Sequence, residues 1–328
     1  MLRREPPNTG ANDWALRFWR GTAAGTFEPG ASLPTGAPLF GGVVADVNGD
    51  GLLDTVMERQ GGHALAVLLN EGDGVFSFAS EYKPPASVIG IRAGDLDADG
   101  LDDVVVLLTS TVSPAVRLLA LRSLGDGTLE QGTSIVLEQK VVDFQIHDFT
   151  GDGLLDVLVS RSKNDSLVLL AGDGTGDLTP VPALDLAGER TEFLYVYVVD
   201  LDRDGLDDLV ATLINPTLSI DATAGLAVWK ALGPGEFAPP AFQLEPYALP
   251  SPQIADINAD GFLDLTDSVS WGALRIFHGL GDTTFEAPEA YSELGASGSP
   301  AFADFDGDGI PDLLFLHSGV LLHNRLFD

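Results

Sequence analysis

An acidic motif of nine residues occurs six times along this chain, and it restricts the possible folds more than any other feature. The motif reads Asp-x-(Asp/Asn/Thr)-x-Asp-Gly-x-x-Asp, and its copies begin at Asp46, Asp95, Asp148, Asp200, Asp256 and Asp304. Successive copies start about 50 residues apart, and a fixed period of that length is typical of repeated supersecondary units. One such loop could arise by chance, whereas six in register predict a repeat protein.

Each copy has the residue types that a calcium ion requires. Ca²⁺ takes about six to eight oxygen ligands, which include carboxylates, side-chain amides and backbone carbonyls. Motif positions 1, 3, 5 and 9 supply side-chain oxygens, and position 7 offers a backbone carbonyl. Position 6 is glycine in every copy, which lets the chain fold back with a positive φ. Carboxylates crowded into so short a loop would repel one another unless a cation lay between them.

The sequence therefore predicts about six bound Ca²⁺, one in each loop. The predicted ligand residues are Asp46, Asn48, Asp50, Leu52, Asp54, Asp95, Asp97, Asp99, Leu101, Asp103, Asp148, Thr150, Asp152, Leu154, Asp156, Asp200, Asp202, Asp204, Leu206, Asp208, Asp256, Asn258, Asp260, Phe262, Asp264, Asp304, Asp306, Asp308, Ile310 and Asp312. The Asp148 loop is expected to bind the ion most weakly, because Thr150 replaces a carboxylate at position 3.

An EF-hand does not fit these loops. It needs a glutamate at position 12 and flanking helices, but position 12 is occupied here by Met57, Val106, Val159, Ala211, Asp267 and Phe315. The segments after the loops, such as "LDDVVVLLTS", are apolar and β-branched and predict strands. Dockerin-like repeats need helices there and are disfavoured for the same reason. The remaining alternative is a set of solvated Asp-Gly turns without an ion.

Short apolar runs surround each loop. One precedes it, such as "FGGVVAD", and two follow it, such as "DDVVVLL" and "AVRLLAL". A Gly-rich turn such as "LGDGTL" and a weaker fourth segment complete the unit, and Asp-Gly pairs between apolar runs indicate hairpins. Four antiparallel strands per ~50 residues describe a propeller blade. We therefore predict an all-β fold, a β-propeller of four-stranded antiparallel blades with one calcium-binding loop per repeat and almost no helix.

From about Phe40 to the C-terminus the chain resembles FG-GAP/VCBS repeats. The resemblance lies in the Gly-rich strand, the loop "DVNGDGLLD" and the following hairpin "VLLNEGDGVF". Repeats of this family build the calcium-bearing β-propeller of integrin α-subunits and of many bacterial surface proteins. The resemblance implies that each loop joins the first and second strands of a blade, with its ion at one face of the disc. It implies little about function, because one fold hosts many functions.

The whole chain, residues 1–328, is predicted to form a single propeller domain. Its repeats are assigned to 41–89, 90–142, 143–194, 195–250, 251–298 and 299–328. Residues 1–40 contain a hairpin-like segment without a preceding loop, and the last repeat lacks a fourth strand. If the N-terminal strands complete the last blade, the ring closes without exposed edges and has six blades. Seven blades is the alternative, with residues 1–40 and 299–328 as two imperfect units.

Charge and composition exclude several classes of function. The chain has 49 acidic and 17 basic residues and a formal net charge of −32, which repels nucleic acid. No apolar run reaches the ~18–20 residues that a membrane span requires. The chain has no cysteine, so a disulfide and a thiol nucleophile are both impossible.

The common enzymatic motifs are also missing from the sequence. The five histidines fall at unrelated positions of the repeat, and no zinc-protease, nucleophile-elbow or nucleotide-binding pattern occurs. His278 is expected to be a packed or surface side chain, and Trp229, in a third strand, is expected to belong to the core. Trp271 precedes a third strand, where we expect it to be exposed.

These features favour a non-enzymatic binding or adhesion module that presents propeller loops to a glycan or a protein. The alternatives are a calcium-dependent enzyme domain acting on polysaccharide or lipid, and a structural spacer at a cell surface. Loops of this kind fill in millimolar calcium, so we expect an extracellular or cell-surface protein, although the start "MLRREPPNTGAND" contains no signal peptide. We expect the protein to be a monomer.

Overall fold

The computed structural model describes residues 14–22, 27–60, 64–109, 115–137, 141–161, 167–181, 192–214, 224–245, 249, 252–269, 273–291, 300–305, 307–315 and 320–322. These residues form strands and turns and contain no helix, which confirms the predicted all-β class. In this part of the chain there is accordingly no helix that could cross a membrane. The chain divides into two compact units, the first built mainly from Phe27–Val159 and Val168–Pro182 and the second from Ala183–Asp328.

The first unit contains a two-stranded pair and three four-stranded sheets, whose strands follow one another in chain order. The pair consists of β1 (Ala15–Gly21) and β2 (Phe27–Pro34). The first sheet consists of β3 (Leu39–Ala45), β4 (Asp54–Arg59), β5 (Ala64–Asn70) and β6 (Phe76–Tyr82). The second consists of β7 (Ser87–Gly94), β8 (Asp103–Thr109), β9 (Val116–Ser123) and β10 (Leu129–Leu137). The third consists of β11 (Val141–His147), β12 (Asp156–Arg161), β13 (Leu167–Gly172) and β14 (Leu178–Pro180).

The second sheet is covered on both faces, which explains the continuous apolar run of its second strand. Side chains of a strand alternate between the two faces of a sheet. In β8, Val104, Val106 and Leu108 pack with the first sheet. Val105 and Leu107 pack with the third sheet. Full burial of such a side chain contributes about 1.5–3 kcal/mol, so the face-to-face packing of successive sheets holds the unit together.

Glycine in the first strand of a repeat permits close approach of neighbouring backbone and rings. A Cβ atom at Gly42 would lie 2.4 Å from the carbonyl oxygen of Val56, and the register of β3 against β4 shifts between Leu39 and Gly42. A Cβ atom at Gly90 would lie 3.1 Å from the ring of Phe144 in the third sheet. The Gly-rich first strand is therefore a packing requirement of the sheet stack.

The N-terminal pair packs against the first sheet. Leu16 of β1 is buried with Leu39 and Leu68, and the Phe18 ring stacks on Phe76 with 4.0 Å between the centroids. Later sheets of the unit pack on one another in the same way. Whether β1 and β2 complete the last blade or belong to an imperfect seventh unit stays a prediction.

The second unit repeats this arrangement in its described residues. The fourth sheet consists of β15 (Glu192–Val199), β16 (Asp208–Ile214), β17 (Ala224–Trp229) and β20 (Ala241–Glu245), with a short pair, β18 (Ala231–Gly233) and β19 (Glu236–Phe237), between its last two strands. The fifth consists of β21 (Gln253–Ala255), β22 (Asp264–Val269), β23 (Ala273–Phe277) and β24 (Glu289–Tyr291). The last consists of β25 (Pro300–Ala303), β26 (Asp312–Phe315) and β27 (Val320–Leu322).

The fifth sheet is the shared packing partner within the second unit. Leu265 and Phe277 are buried against the fourth sheet. Leu274 and Ile276 are buried with Leu313 of the last sheet. The alternation of faces seen in the second sheet thus recurs in the fifth sheet.

All six acidic motifs lie at the same place in their sheets. Each motif begins directly after the first strand and ends at the first residue of the second strand, as between β3 and β4. This confirms the position of the loop that the family resemblance implies. It also means that one acidic loop lies at one end of every sheet except the N-terminal pair and the short β18–β19 pair.

Candidate metal centre

The first aspartate of every loop accepts a hydrogen bond from the loop glycine. Its Oδ2 receives the glycine N–H over 2.8 to 3.0 Å in all six copies. The donors are Gly51, Gly100, Gly153, Gly205, Gly261 and Gly309. In the third loop, Oδ1 of Asp148 also accepts the N–H of Gly151 over 2.7 Å. These bonds close the loop into a tight turn. They join position 1 to the backbone of position 6 and do not involve the side chains of the residues in between.

The aspartate at position 5 accepts the backbone N–H of position 7 in every loop. Its Oδ1 receives this bond over 2.7 to 3.0 Å. In the first loop, the Asn48 side-chain amide at position 3 donates to Asp50 at 3.0 Å. In the fifth loop, Asn258 donates to Asp260 at 2.8 Å. In these two loops the side chains at positions 3 and 5 are thus held next to each other.

The aspartate at position 9 connects the loop to the rest of the sheet. It is at most 1% exposed in the six copies, Asp54, Asp103, Asp156, Asp208, Asp264 and Asp312. In the second loop, Asp103 accepts the N–H of Leu96 at 3.1 Å and that of Ser123, the last residue of β9, at 2.9 Å. In the first three sheets the donor is the last residue of the third strand. In the fourth and fifth sheets it lies two residues after that strand. Position 9 therefore joins the start of the loop to the third strand.

Two residues of each loop have a left-handed backbone conformation. The glycines at position 6 have φ between 83° and 97°, which lies beyond the usual left-handed value of about 57°. At position 4, φ is 58° for Ala98, 61° for Arg203 and 55° for Ala259. A side chain is thus tolerated at position 4, at a cost of about 1–2 kcal/mol, whereas position 6 requires glycine.

Exchanges at these two positions should change stability in opposite directions. We expect Ala98→Gly to stabilise the fold by up to ~1 kcal/mol, because relief of the left-handed strain exceeds the added entropy of the unfolded chain. Gly100→Ala in the same loop should destabilise it by ~1–2 kcal/mol. Its new Cβ would meet no atom within 4 Å, so backbone strain is the cause. Thermal unfolding in EDTA measures both, and an unchanged midpoint for Gly100→Ala would contradict the requirement for glycine.

In the described part of the chain, carboxylate oxygens converge in two of the loops. In the second loop, Asp95, Asp97 and Asp99 place oxygens within 4.8 Å of one another, and three aspartates of the fourth loop do the same. In three loops, one Oδ1 atom at position 1 or 3 is buried and lacks a hydrogen-bond partner; these atoms belong to Asp97, Asp202 and Asp256. A buried oxygen without a donor is unfavourable unless a cation satisfies it. The residues therefore fit Ca²⁺, which prefers several hard oxygens at this spacing.

Burial raises the pKa of several loop carboxyls. It is the main cause of the raised pKa of Asp103, which lies at about 6; the N–H of Ser123 opposes the shift, and the charge of Asp97 adds to it. Burial is also the main cause of the raised pKa values of Asp54, Asp97, Asp156, Asp208 and Asp264. A cation among these groups would favour their charged form and so lower these pKa values.

Metal-free protein should become more stable as the pH falls from 7 to 5. The folded-state pKa of Asp103, about 6, exceeds the unfolded value of about 4. Its contribution to stability is therefore complete below about pH 4 and is lost as the pH rises through about 6. Calcium-loaded protein should show the opposite trend, because protons compete with the ion. Melting curves at pH 5, 6 and 7 measure both, and a metal-free midpoint that rises with pH would contradict the raised pKa.

Among the described residues, three carboxylate oxygens come within 4.8 Å of one another only in the second and fourth loops, and ligation of an ion by the predicted residues stays a prediction in every loop. Asp306 lies outside the described residues. Ligation by the backbone carbonyls at position 7, such as that of Leu52, stays a prediction. The sequence did not reveal the structural role of position 9 or the left-handed position 4.

The sequence predicted the environment of some side chains in and near the third strands but not of others. Trp229 in β17 is 2% exposed, which confirms its predicted place in the core. His278 is partly buried, and its Nδ1 lies 3.3 Å from Oδ1 of Asp264. Trp271 lies outside the described residues. Lys230, directly after β17, contacts the fourth loop and was missed, although a basic residue after the apolar run "LAVW" was a visible signal.

Comparisons with known proteins agree with this architecture. A model of the FG-GAP-like repeat family matches residues 46–106, 148–211 and 256–315, which is more than half of the chain. Each matched segment begins at one acidic loop and ends in the strand after the next loop, so the three segments include all six loops. No curated protein matches the chain by sequence.

Two solved structures have a similar fold. One is a functionally unknown protein from Desulfotomaculum acetoxidans DSM 771, at 12% identity and a TM-score of 0.58, covering 94% of this chain and 91% of the other. The second is a protein from Lactobacillus plantarum, at 11% identity and a TM-score of 0.54, covering 89% and 81%. At such identities the likeness concerns the fold alone.

Proposed function

Because this chain belongs to the FG-GAP-like repeat family and is a β-propeller-type protein, we propose that it is a calcium-stabilised extracellular module that binds a protein or glycan through its loops. One observation carries the calcium proposal. All six loops share the same hydrogen bonds from backbone N–H groups to the aspartates at positions 1 and 5, yet carboxylate oxygens in three of them lack a donor. A bound Ca²⁺ would supply the missing partner.

The proposed location and architecture follow from the loops. Six ions would add twelve positive charges and bring the formal net charge from −32 to −20, which reduces the self-repulsion of the folded chain. Millimolar free calcium, which is typical outside cells, suits sites of this kind. We also propose one domain of six blades, one for each sheet that carries a loop.

An apolar surface near the loops supports a binding role. We name Leu52, Leu53, Val75 and Leu124 the apolar loop surface. Leu53 is 57%, Val75 47% and Leu124 54% exposed, and Leu52 points to the turn at Gly72, in the hairpin that carries Val75. Large exposed apolar patches often mark interaction sites, and we propose that these four side chains contribute to one. The calcium loops would fix the position of this surface.

Metal analysis tests the calcium proposal directly. After equilibration with calcium buffer and removal of free ion, we expect four to six Ca²⁺ per chain. The estimate allows for loops with fewer carboxylates, such as the third, because affinity depends on the number of charged ligands. A content near zero would contradict the proposal.

A separate measurement tests binding. Calcium-loaded protein is applied to a glycan array and to an array of surface proteins, with the double variant Leu53→Asp, Leu124→Asp as the matched control. We expect specific retention by one class of ligand, lost in the variant and in EGTA. Retention that the variant preserves would exclude the apolar loop surface. Turnover of an acidic polysaccharide would favour the enzymatic alternative instead.

A further inference from the structure

A lysine side chain reaches into the fourth acidic loop. Lys230 follows β17 directly and precedes Ala231, whose N–H donates to Asp208 at position 9 over 2.8 Å. The backbone on its C-terminal side is therefore anchored to the loop. Its ammonium donates to Asp202 at position 3 and to Oδ2 of Asp204 at position 5, the latter over 2.8 Å. A cation of the chain itself thus contacts two of the predicted calcium ligands.

The surroundings of this ammonium favour a persistent contact. The Lys230 side chain is 35% exposed and that of Asp202 only 12%, so the pair is partly shielded from water. A charged hydrogen bond of this kind is stronger than one between neutral groups. Lys230 directly follows Trp229, the last residue of β17, which is buried in the core. The backbone of Lys230 therefore lies between a residue of the core and one that donates to Asp208.

Other sheets have a different residue at this place. The equivalent residues, each directly before the residue that donates its N–H to position 9, are Leu69, Arg122, Ala171 and His278. In the second sheet, the Arg122 guanidinium donates to Glu130 over 2.9 Å. Its charge also opposes the burial that raises the pKa of Asp97 at position 3, but among the described residues it forms no ion pair with a loop aspartate. In the fifth sheet, His278 lies 3.3 Å from Asp264 at position 9. In the first and third sheets the residue is apolar and brings no charge to the loop. The contact of Lys230 with positions 3 and 5 is thus a property of the fourth loop and not of the repeat.

We propose that Lys230 is a built-in competitor that lowers the calcium affinity of the fourth loop by neutralising Asp202 and Asp204. The inference rests on the proposed calcium binding of the loops. The second and fourth loops have the same four aspartates at positions 1, 3, 5 and 9, and ligand count alone predicts equal affinities. The ammonium must leave two carboxylates before an ion can use them, so the fourth loop fills later than the second. One site then responds to calcium in a higher concentration range than its sequence motif suggests.

Calcium titration of three variants tests this assignment. In Lys230→Met, which keeps the apolar stem, we expect one site to bind calcium at least tenfold more tightly than in the natural chain. Adding Asp204→Ala to this variant should cancel the gain, which assigns it to the fourth loop. Ala171→Lys, the matched change in the third sheet, should weaken one site. Titration curves of Lys230→Met and the natural chain that coincide would overturn the proposal.

Melting of the metal-free protein separates this inference from the calcium proposal. In EDTA, Lys230→Met should melt a few degrees below the natural chain, because two carboxylates lose their cation. In saturating calcium the difference should vanish or reverse. If neither protein binds calcium but the variant still melts lower in EDTA, the calcium proposal fails while the neutralising contact stands. Equal melting temperatures in EDTA would overturn the contact itself.

Discussion

Removal of calcium is expected to lower the melting temperature by well over ten degrees. The loop geometry exists only in the folded chain, so the free energy of ion binding adds to the free energy of unfolding. At free calcium 100-fold above Kd, each independent site contributes ~2.7 kcal/mol. Unfolding entropy is about 2.1 cal/mol/K per residue, so for a chain of 328 residues 1 kcal/mol corresponds to roughly 1.5 degrees. Six sites would then give a shift of roughly 20 degrees, and half of them roughly ten.

Scanning calorimetry in calcium and in EGTA measures this shift. Magnesium serves as the control cation, because it requires a smaller octahedral shell and retains its water. We expect it to restore only a small part of the lost stability. Equal melting temperatures in calcium and EGTA would contradict a role of the ion in stability and leave the crowded carboxylates without a counter-ion.

The second large effect is expected from Asp103→Ala, and it should persist without calcium. This carboxylate is 1% exposed and accepts the N–H groups of Leu96 and Ser123. Alanine leaves both donors buried without a partner, at a cost of about 1–3 kcal/mol each. We expect a loss of about 2–5 kcal/mol in EDTA, because the tie between the loop and β9 is broken. Denaturant unfolding of the metal-free protein measures it.

Asp99→Ala is the matched control in the same loop. Asp99 is exposed and accepts the N–H of Leu101 over 2.8 Å. Its removal should weaken calcium binding but change the stability of metal-free protein little, since water can satisfy the freed N–H. Comparison of the two variants therefore separates the ligand role of the motif from its structural role. Equal destabilisation in EDTA would show that the two positions are equivalent.

The regular spacing of the motif made most of the fold predictable. The six loops, their place between first and second strands, and the burial of Trp229 all followed from residue types and order. The apolar run of β8 predicted a buried strand, because both faces of its sheet are covered. Local patterns were sufficient here, since every repeat gives the same signal at the same position.

Features that depend on contacts between distant segments could not be predicted in the same way. The end of β9 and the start of the second loop meet at Asp103. No sequence pattern indicates that the N–H of Ser123 donates a hydrogen bond to Asp103. The contact of Lys230 with Asp202 joins residues that are 28 positions apart. The left-handed backbone of Ala98 could not be predicted from its residue type either, because alanine does not favour a positive φ.

The hydrogen bonds that shape each loop come from backbone N–H groups and end on aspartates at positions 1, 5 and 9. Because every amino acid except proline carries such a donor, residues such as Val47, Leu201 and Phe305 at position 2 are interchangeable without loss of the bond. A gene segment that encodes one unit can therefore be copied, and within the loop its copies can diverge at most positions other than these aspartates and one glycine. The architecture of such copies would persist after most of their sequence had changed, and a solved structure with a similar fold is only 12% identical to this chain.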